Sequence, residues 1–244
     1  MGIFAEIDVG ISHVDEMVQD GVTVYRDLIA AEALPVLREE IGKIRDVVMV
    51  KIASMERPLR DYSDIAERHL GRLDYRCGFS ADIFKQVETP IVEIVRSLSP
   101  TVDFRRYWGA IPSLGGSGPT SMHRDVYPML NSSEGVNLDR VDLGLPPYYF
   151  TALIPLVEIT SENGPTQFIR GSHRVGVVDE SHAEIYAPLL VPGDVVIFEG
   201  RTLHRGSANR SESERLIAYI TFVAIWYHDQ TFAINDYLFP EFLL

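Results

Sequence analysis

Disulfides, long apolar runs and positive charge are all scarce in this chain. Its single cysteine, Cys77, excludes an internal disulfide framework and suits a reducing compartment. No apolar run approaches the roughly 18 to 20 residues needed to cross a bilayer, so no membrane association is expected. The opening MGIFAEIDVGISH lacks the basic n-region of a secretory leader and gains acids early. A cytoplasmic location is the expectation. Lys and Arg number 22 against 35 Asp and Glu, a formal net charge of −13. A nucleic-acid partner demands a basic footprint that this composition does not supply. The same charge disfavours a bulky polyanion such as an acyl-CoA and tolerates or attracts a neutral or cationic small molecule. Nothing in the sequence sets an oligomeric state.

What is present falls into two periodicities. After a short strand-like run, GVTVYRDL, the first hundred residues read as helical. Leu34, Leu37, Ile41 and Ile44 recur at spacings of three and four in one amphipathic stripe. DYSDIAERHL reads as a second, short helix stopped by Gly71. SADIFKQVETPIVEIVRSL reads as a third, opened by Ser80 as N-cap and interrupted near Pro90. From Thr101 onward, VDFRRYWGAI, YYFTALIPLVEI, DVVIFEG and RLIAYITFVAIWYH are β-branched and aromatic, with turn residues clustered between them. Helices first and strands after, with no linker between, predict one domain over 1–244: helical support in 1–100 and a β core in 101–230. The expected class is mainly β with flanking helices.

Histidines and carboxylates two apart raise the question of a metal. On a strand, residues i and i+2 share a face, so His123 and Asp125 in SMHRD can reach one ion while Arg124 points away. Two histidines and one carboxylate on one face is the donor set of non-haem Fe(II) sites, with the opposite face left open. Two other pairs compete: His13 with Asp15, and His182 with Glu184, the latter with His228 downstream. His13 opens a helical-looking segment, where i and i+2 diverge. What favours SMHRD lies downstream. PGD, residues 192 to 194, turns into a strand that leads to His204, and Arg215 follows eleven positions later (215 − 204). An arginine there can enter a barrel and grip a carboxylate with its planar fork. Neither competing pair has one at that offset.

Together SMHRD, ENGPTQFIRGSHR, PGDVVIF and LHRGSANRSESER resemble the phytanoyl-CoA dioxygenase (PhyH-like) family of Fe(II)- and 2-oxoglutarate-dependent oxygenases, over about residues 20 to 227. The resemblance implies a double-stranded β-helix, the jelly-roll barrel, with helices packed outside. It implies iron on His123, Asp125 and His204, and the distal carboxylate of 2-oxoglutarate on Arg215. Thr166 falls where relatives often place a cosubstrate-binding hydroxyl. Thr120 stands where they often have a glutamine. His173, in GSHR, is a scaffold residue by the same resemblance, and Asn209 shapes the turn that delivers Arg215. The implied chemistry consumes O2 and converts 2-oxoglutarate to succinate and carbon dioxide while hydroxylating or cyclising a small molecule, as in antibiotic and other specialised-metabolite biosynthesis. The carboxylate at position 125 speaks against halogenation.

The stretch from Val126 to Tyr149 has few strand signals and reads as a substrate lid, with Tyr127, Asn131 and Tyr148 as contacts. Its acids Glu134, Asp139 and Asp142 suit an amino-bearing substrate such as an amino sugar. Trp108 and Tyr107 precede the first ligand pair, and one of them must face the cavity; Trp108 is the candidate substrate contact. The competing classes are a cupin-like metal-binding protein or sugar isomerase, which needs no cosubstrate arginine, and an acyl-CoA hydroxylase.

Overall fold

The computed structural model describes residues 11–62, 65–76, 81–126, 146–175 and 178–228. In chain order these form α1 (Ile11–Asp20), β1 (Val22–Tyr25), α2 (Ala33–Ser54), β2 (Ile65–His69), β3 (Arg72–Arg76), α3 (Asp82–Leu98) and β4 (Phe104–Ser113). There follow β5 (Tyr149–Pro155), β6 (Thr166–Ile169), β7 (Ile185–Tyr186), β8 (Val195–Glu199), β9 (His204–Gly206) and β10 (Arg215–Ala224). No described helix is long and apolar enough to cross a membrane.

The strands make two antiparallel sheets, one of seven strands in the order β1-β8-β5-β10-β4-β3-β2 and one of three, β7-β6-β9. This is the jelly-roll arrangement, left open rather than closed into a barrel. Parity along β10 shows how the layers divide. Leu216, Ala218, Ile220 and Phe222 pack with the buried faces of α2 and α3, whereas Ile217 and Tyr219 pack with Phe168 of the small sheet. A strand covered on both faces reads as a continuous apolar run, as LIAYITFVA does.

The α2 stripe is buried as its spacing requires: Leu37 and Ile41 are fully enclosed, with Leu34 and Ile44 packed at its margin. The helix expected to break near Pro90 runs through it instead. Proline inside a helix costs about 3 kcal/mol. Ile83, Phe84, Val87, Ile91, Ile94 and Val95 are buried along its length, and each such side chain contributes about 1.5–3 kcal/mol. Packing therefore wins. Ser80 lies outside the described residues, and the N-cap position is Ala81.

The second expected helix, DYSDIAERHL, is not one. Ile65–His69 is the strand β2, and Leu70–Gly71 turns it into β3, with Gly71 at φ +75°. That backbone region favours glycine. Ile65 and Tyr75 are buried toward the helices, while Arg72, Asp74 and Arg76 line a cavity on the opposite face.

Candidate metal centre

His123, Asp125 and His204 each place one ligand atom within 4.8 Å of the others, the one such group among the described residues. Backbone pairing brings the two histidines together: His123 N donates to His204 O, and His204 N to His123 O, both at 2.9 Å. Each ring is oriented by the carbonyl two residues before it. His123 Nδ1 lies 2.8 Å from Ser121 O and His204 Nδ1 lies 2.9 Å from Thr202 O. A carbonyl only accepts, so both Nδ1 atoms carry the proton and both Nε2 atoms keep a lone pair, the form a metal requires. Asp125 Oδ1 stands 3.6 Å from His204 Nε2, and its Oδ2 accepts from Thr151 Oγ1 at 2.9 Å. Burial holds the His204 pKa below the usual histidine value, against the opposing pull of Asp125. Two imidazole nitrogens and a carboxylate oxygen fit iron(II).

Arg124, between the two outer ligands, turns away from them as its position on an extended segment dictates. It does not end in solvent. Its guanidinium donates to the carbonyls of Arg201, Ser172 and Val175 at 2.7–2.8 Å, tying SMHRD to the segment before β9 and to the turn after β6.

The triad opens on a cavity of about 500 Å³ whose lining includes Thr120, Thr166 and Arg215. Arg215, at the start of β10, is 2% exposed. Its Nη1 donates to Gly164 O, and its Nη2 donates to Ser113 Oγ at 3.1 Å. Gly164 has φ +88° and lies against Ala208 O, so the NGPT turn needs glycine to present that carbonyl. Asn209 is buried and donates to Ser113 O and Ser213 O, closing the turn before Arg215. Thr120 Oγ1 accepts from Gly206 N at 2.9 Å, which leaves its own proton to donate. Burial lowers the Arg215 pKa to about 9, with the charge of Arg72 adding to the effect.

Arg72 is the residue that sequence reasoning missed. It is 1% exposed, lines the same cavity, and has its pKa lowered to about 10 by burial. The signal was the period-two pattern of RLDYR, which places three polar residues on one face.

Other expected contacts fall elsewhere. Trp108 is not a cavity residue: its ring packs edge-on to Phe84 and its Nε1 donates to Glu88 Oε2 of α3 at 3.1 Å. Even-numbered positions of β4 face the helices; Tyr107 has the opposite parity and lies under the Arg76 guanidinium. Tyr148 is buried against Trp226 and Tyr227, and its neighbour Tyr149 lines the cavity instead. Tyr127, Asn131, Glu134, Asp139 and Asp142 lie outside the described residues. His13 bonds Thr23 Oγ1 from α1, and His182 pairs with Asp179 on the surface. His173 is half-buried near Val18 O, and burial pulls its pKa to about 4.

Comparison with known proteins agrees with this geometry. A family model described as phytanoyl-CoA dioxygenase (PhyH) matches residues 17–217. The dioxygenase peniF of Penicillium patulum is 35% identical over 113 residues, covering 45% of this chain and 36% of that protein. The iron/alpha-ketoglutarate-dependent dioxygenase penM of Penicillium thymicola is 25% identical over 214 residues, covering 82% of this chain and 64% of its own length. The chain thus corresponds to only part of each relative. The crystal structure of HygX from Streptomyces hygroscopicus, with nickel, 2-oxoglutarate and hygromycin B bound, superposes with a TM-score of 0.67 at 13% identity, over 94% of this chain and 96% of that one. At that identity the likeness is one of fold. Because the family match runs from within α1 to the start of β10 and encloses the whole triad, this chain belongs to the phytanoyl-CoA dioxygenase (PhyH) family.

Proposed function

We propose that this chain is a single-domain, non-haem iron(II)- and 2-oxoglutarate-dependent dioxygenase that hydroxylates or oxidatively cyclises a small molecule. His123 and His204 would hold the metal through Nε2 and Asp125 through Oδ1, since Thr151 already occupies Oδ2. When bound, iron(II) with 2-oxoglutarate and O2 supplies the oxidising power that breaks a substrate C–H bond, the keto acid leaving as succinate and carbon dioxide. The chain's own part is to bind, orient and exclude water. Arg215 receives the distal carboxylate, with the Thr166 and Thr120 hydroxyls nearby in the lining. Leu153, Phe198 and Ile217 give the same cavity an apolar wall, and a dry site strengthens every charge interaction inside it.

The observation that carries this reading is Arg215, a buried cation in the cavity that also holds the triad. A cupin-like isomerase has no use for it. A role in specialised metabolism draws support from the fold shared with the 2-oxoglutarate-dependent epimerase SnoN from nogalamycin biosynthesis, at a TM-score of 0.63 and 17% identity. For the substrate we favour an oxygen-rich small molecule such as a sugar. Besides the ligand Asp125, the described lining has one carboxylate, Asp74, and it already accepts from Arg68 and Tyr219. An amino sugar would depend on the acids of residues 134 to 142.

Anaerobic addition of iron(II) and 2-oxoglutarate is expected to produce the weak visible charge-transfer band of the chelate, and Arg215→Ala to abolish it at cosubstrate concentrations that saturate the native protein. Absence of the band in the native protein overturns the reading.

A further inference from the structure

The cavity face of β10 carries Arg215, Ile217, Tyr219 and Thr221 at every second position. The Tyr219 side chain lies along the sheet rather than standing off it. Its register partner on β4 is Gly109, and a Cβ added there would collide with Tyr219 Cζ and Oη. The ring therefore crosses β4 through the space that Gly109 leaves open. Its hydroxyl donates to Asp74 Oδ1 on β3 at 2.8 Å. Arg68 of β2 holds the other oxygen of Asp74, through Nε at 2.9 Å and Nη2 at 2.7 Å. Burial, with Asp74 beside it, raises the Tyr219 pKa well above the ordinary phenol value, so the hydroxyl keeps the proton it donates.

The sheet order puts this ring on the open side of the triad. Asp125 is tied to Thr151 of β5, and the His204 ring lies against Phe198 of β8. Both strands are on one flank of β10. Tyr219 extends toward the other flank, over β4 to β3. Along β10 it is four residues from Arg215 (219 − 215), roughly 14 Å at about 3.4 Å each. What the cavity presents there is a flat apolar ring with the Asp74–Arg68 pair at its edge, the Arg68 side chain being half exposed. Both oxygens of Asp74 already accept, so the pair offers neutral hydrogen-bonding groups rather than a bare charge. A saturated sugar ring is the complement of such a surface. Its C–H face needs an apolar plate, and the hydroxyls around its rim need polar groups beside that plate.

We propose that Tyr219, laid across Gly109 and pinned by Asp74, is a platform for a saturated sugar ring of the substrate, with Arg68 and Asp74 meeting hydroxyls at the ring's edge. This rests on the dioxygenase reading above. The alternative is that Tyr219 only fills the core it shares with Leu153 and Phe168.

Two probes with similar hydroxyls separate these roles: methyl β-D-glucopyranoside, which has a rigid ring face, and acyclic sorbitol, which has none. Each is titrated anaerobically into protein loaded with iron(II) and 2-oxoglutarate, and Kd is read from the shift of the charge-transfer band. The native protein is expected to prefer the glucoside roughly five- to tenfold. Tyr219→Leu should bring the two probes within about twofold of each other. Gly109→Ala, which drives the ring out of its slot without changing the ring itself, should do the same; it serves as the test where Tyr219→Leu does not fold. Tyr219→Phe, which keeps the ring and loses the pin, should fall between. Absence of the preference in the native protein overturns the proposal, as does a preference that survives either Tyr219→Leu or Gly109→Ala. A Kd for 2-oxoglutarate that weakens in Gly109→Ala as much as the Kd for the glucoside shows a packing role and also overturns it. Failure of the native protein to form the band with 2-oxoglutarate refutes the dioxygenase reading itself, a different outcome.

Discussion

The two histidines of the metal centre sit in opposite surroundings. His204 is 7% exposed, lies within a sheet strand, and has Phe168 and Phe198 against its ring at centroid distances of 6.1 and 4.4 Å. His123 is exposed, belongs to no named strand, and is held by one backbone bridge and by what Arg124 grips next to it. One ligand is fixed by packing and the other by hydrogen bonds. Damage on the His204 side should therefore register first as lost fold stability, and on the His123 side as lost metal affinity.

Asp125→Ala, which removes the carboxylate shared between the sides, should abolish iron binding and substrate-dependent succinate release; retained turnover would sink the assigned triad. Phe168→Ala, on the packed side, should cost about 3–5 kcal/mol of stability. In a chain of this size that is a fall in Tm of about 2–4 °C for each kcal/mol, read by calorimetry. Arg124→Gln, on the hydrogen-bonded side, should weaken iron(II) about 10- to 100-fold with a smaller change in Tm. The reverse pattern for these two variants breaks the comparison.

A pH effect of moderate size belongs to His173. The unfolded chain binds its proton near pH 6.5, whereas burial holds the folded value at about 4. Between those values the unfolded state carries more protons, so stability is lost as pH falls from about 6.5 toward 4. A denaturation series across that window should show a flatter decline in His173→Gln. The smallest effect is expected of Trp108→Phe, which loses the bond to Glu88, a cost of about 1 kcal/mol. Substrate saturation should not move, and a raised KM would return Trp108 to the cavity.

The SMHRD pair was singled out by i, i+2 parity, although His123 sits in an isolated bridge rather than the expected strand; His204 and Arg215 were singled out by spacing along the chain and by the family resemblance. The β-branched runs announced the second half in the same way. Helix periodicity misled at DYSDIAERHL for a physical reason. β2 is an edge strand that buries only Ile65 of its five residues, so it shows no alternation, and its partner β3 turns Arg72, Asp74 and Arg76 into the protein. A strand that lines a polar cavity loses its usual signature where it matters to function. Trp108 and Tyr107 show a related limit. Alternation says that they part company, but only the position of α3 decides which one meets water.

The closeness of the buried Arg72 and Arg215 guanidinium groups has a consequence beyond turnover. Their like charges, met only by neutral acceptors among the described residues, oppose folding, and an anion bound in the cavity relieves that repulsion. A ligand at a hundred times its Kd adds about 2.7 kcal/mol to the folded state. Supply of the keto acid would then govern how long each molecule survives heating or proteolysis, and protein abundance would follow the metabolic pool that feeds it.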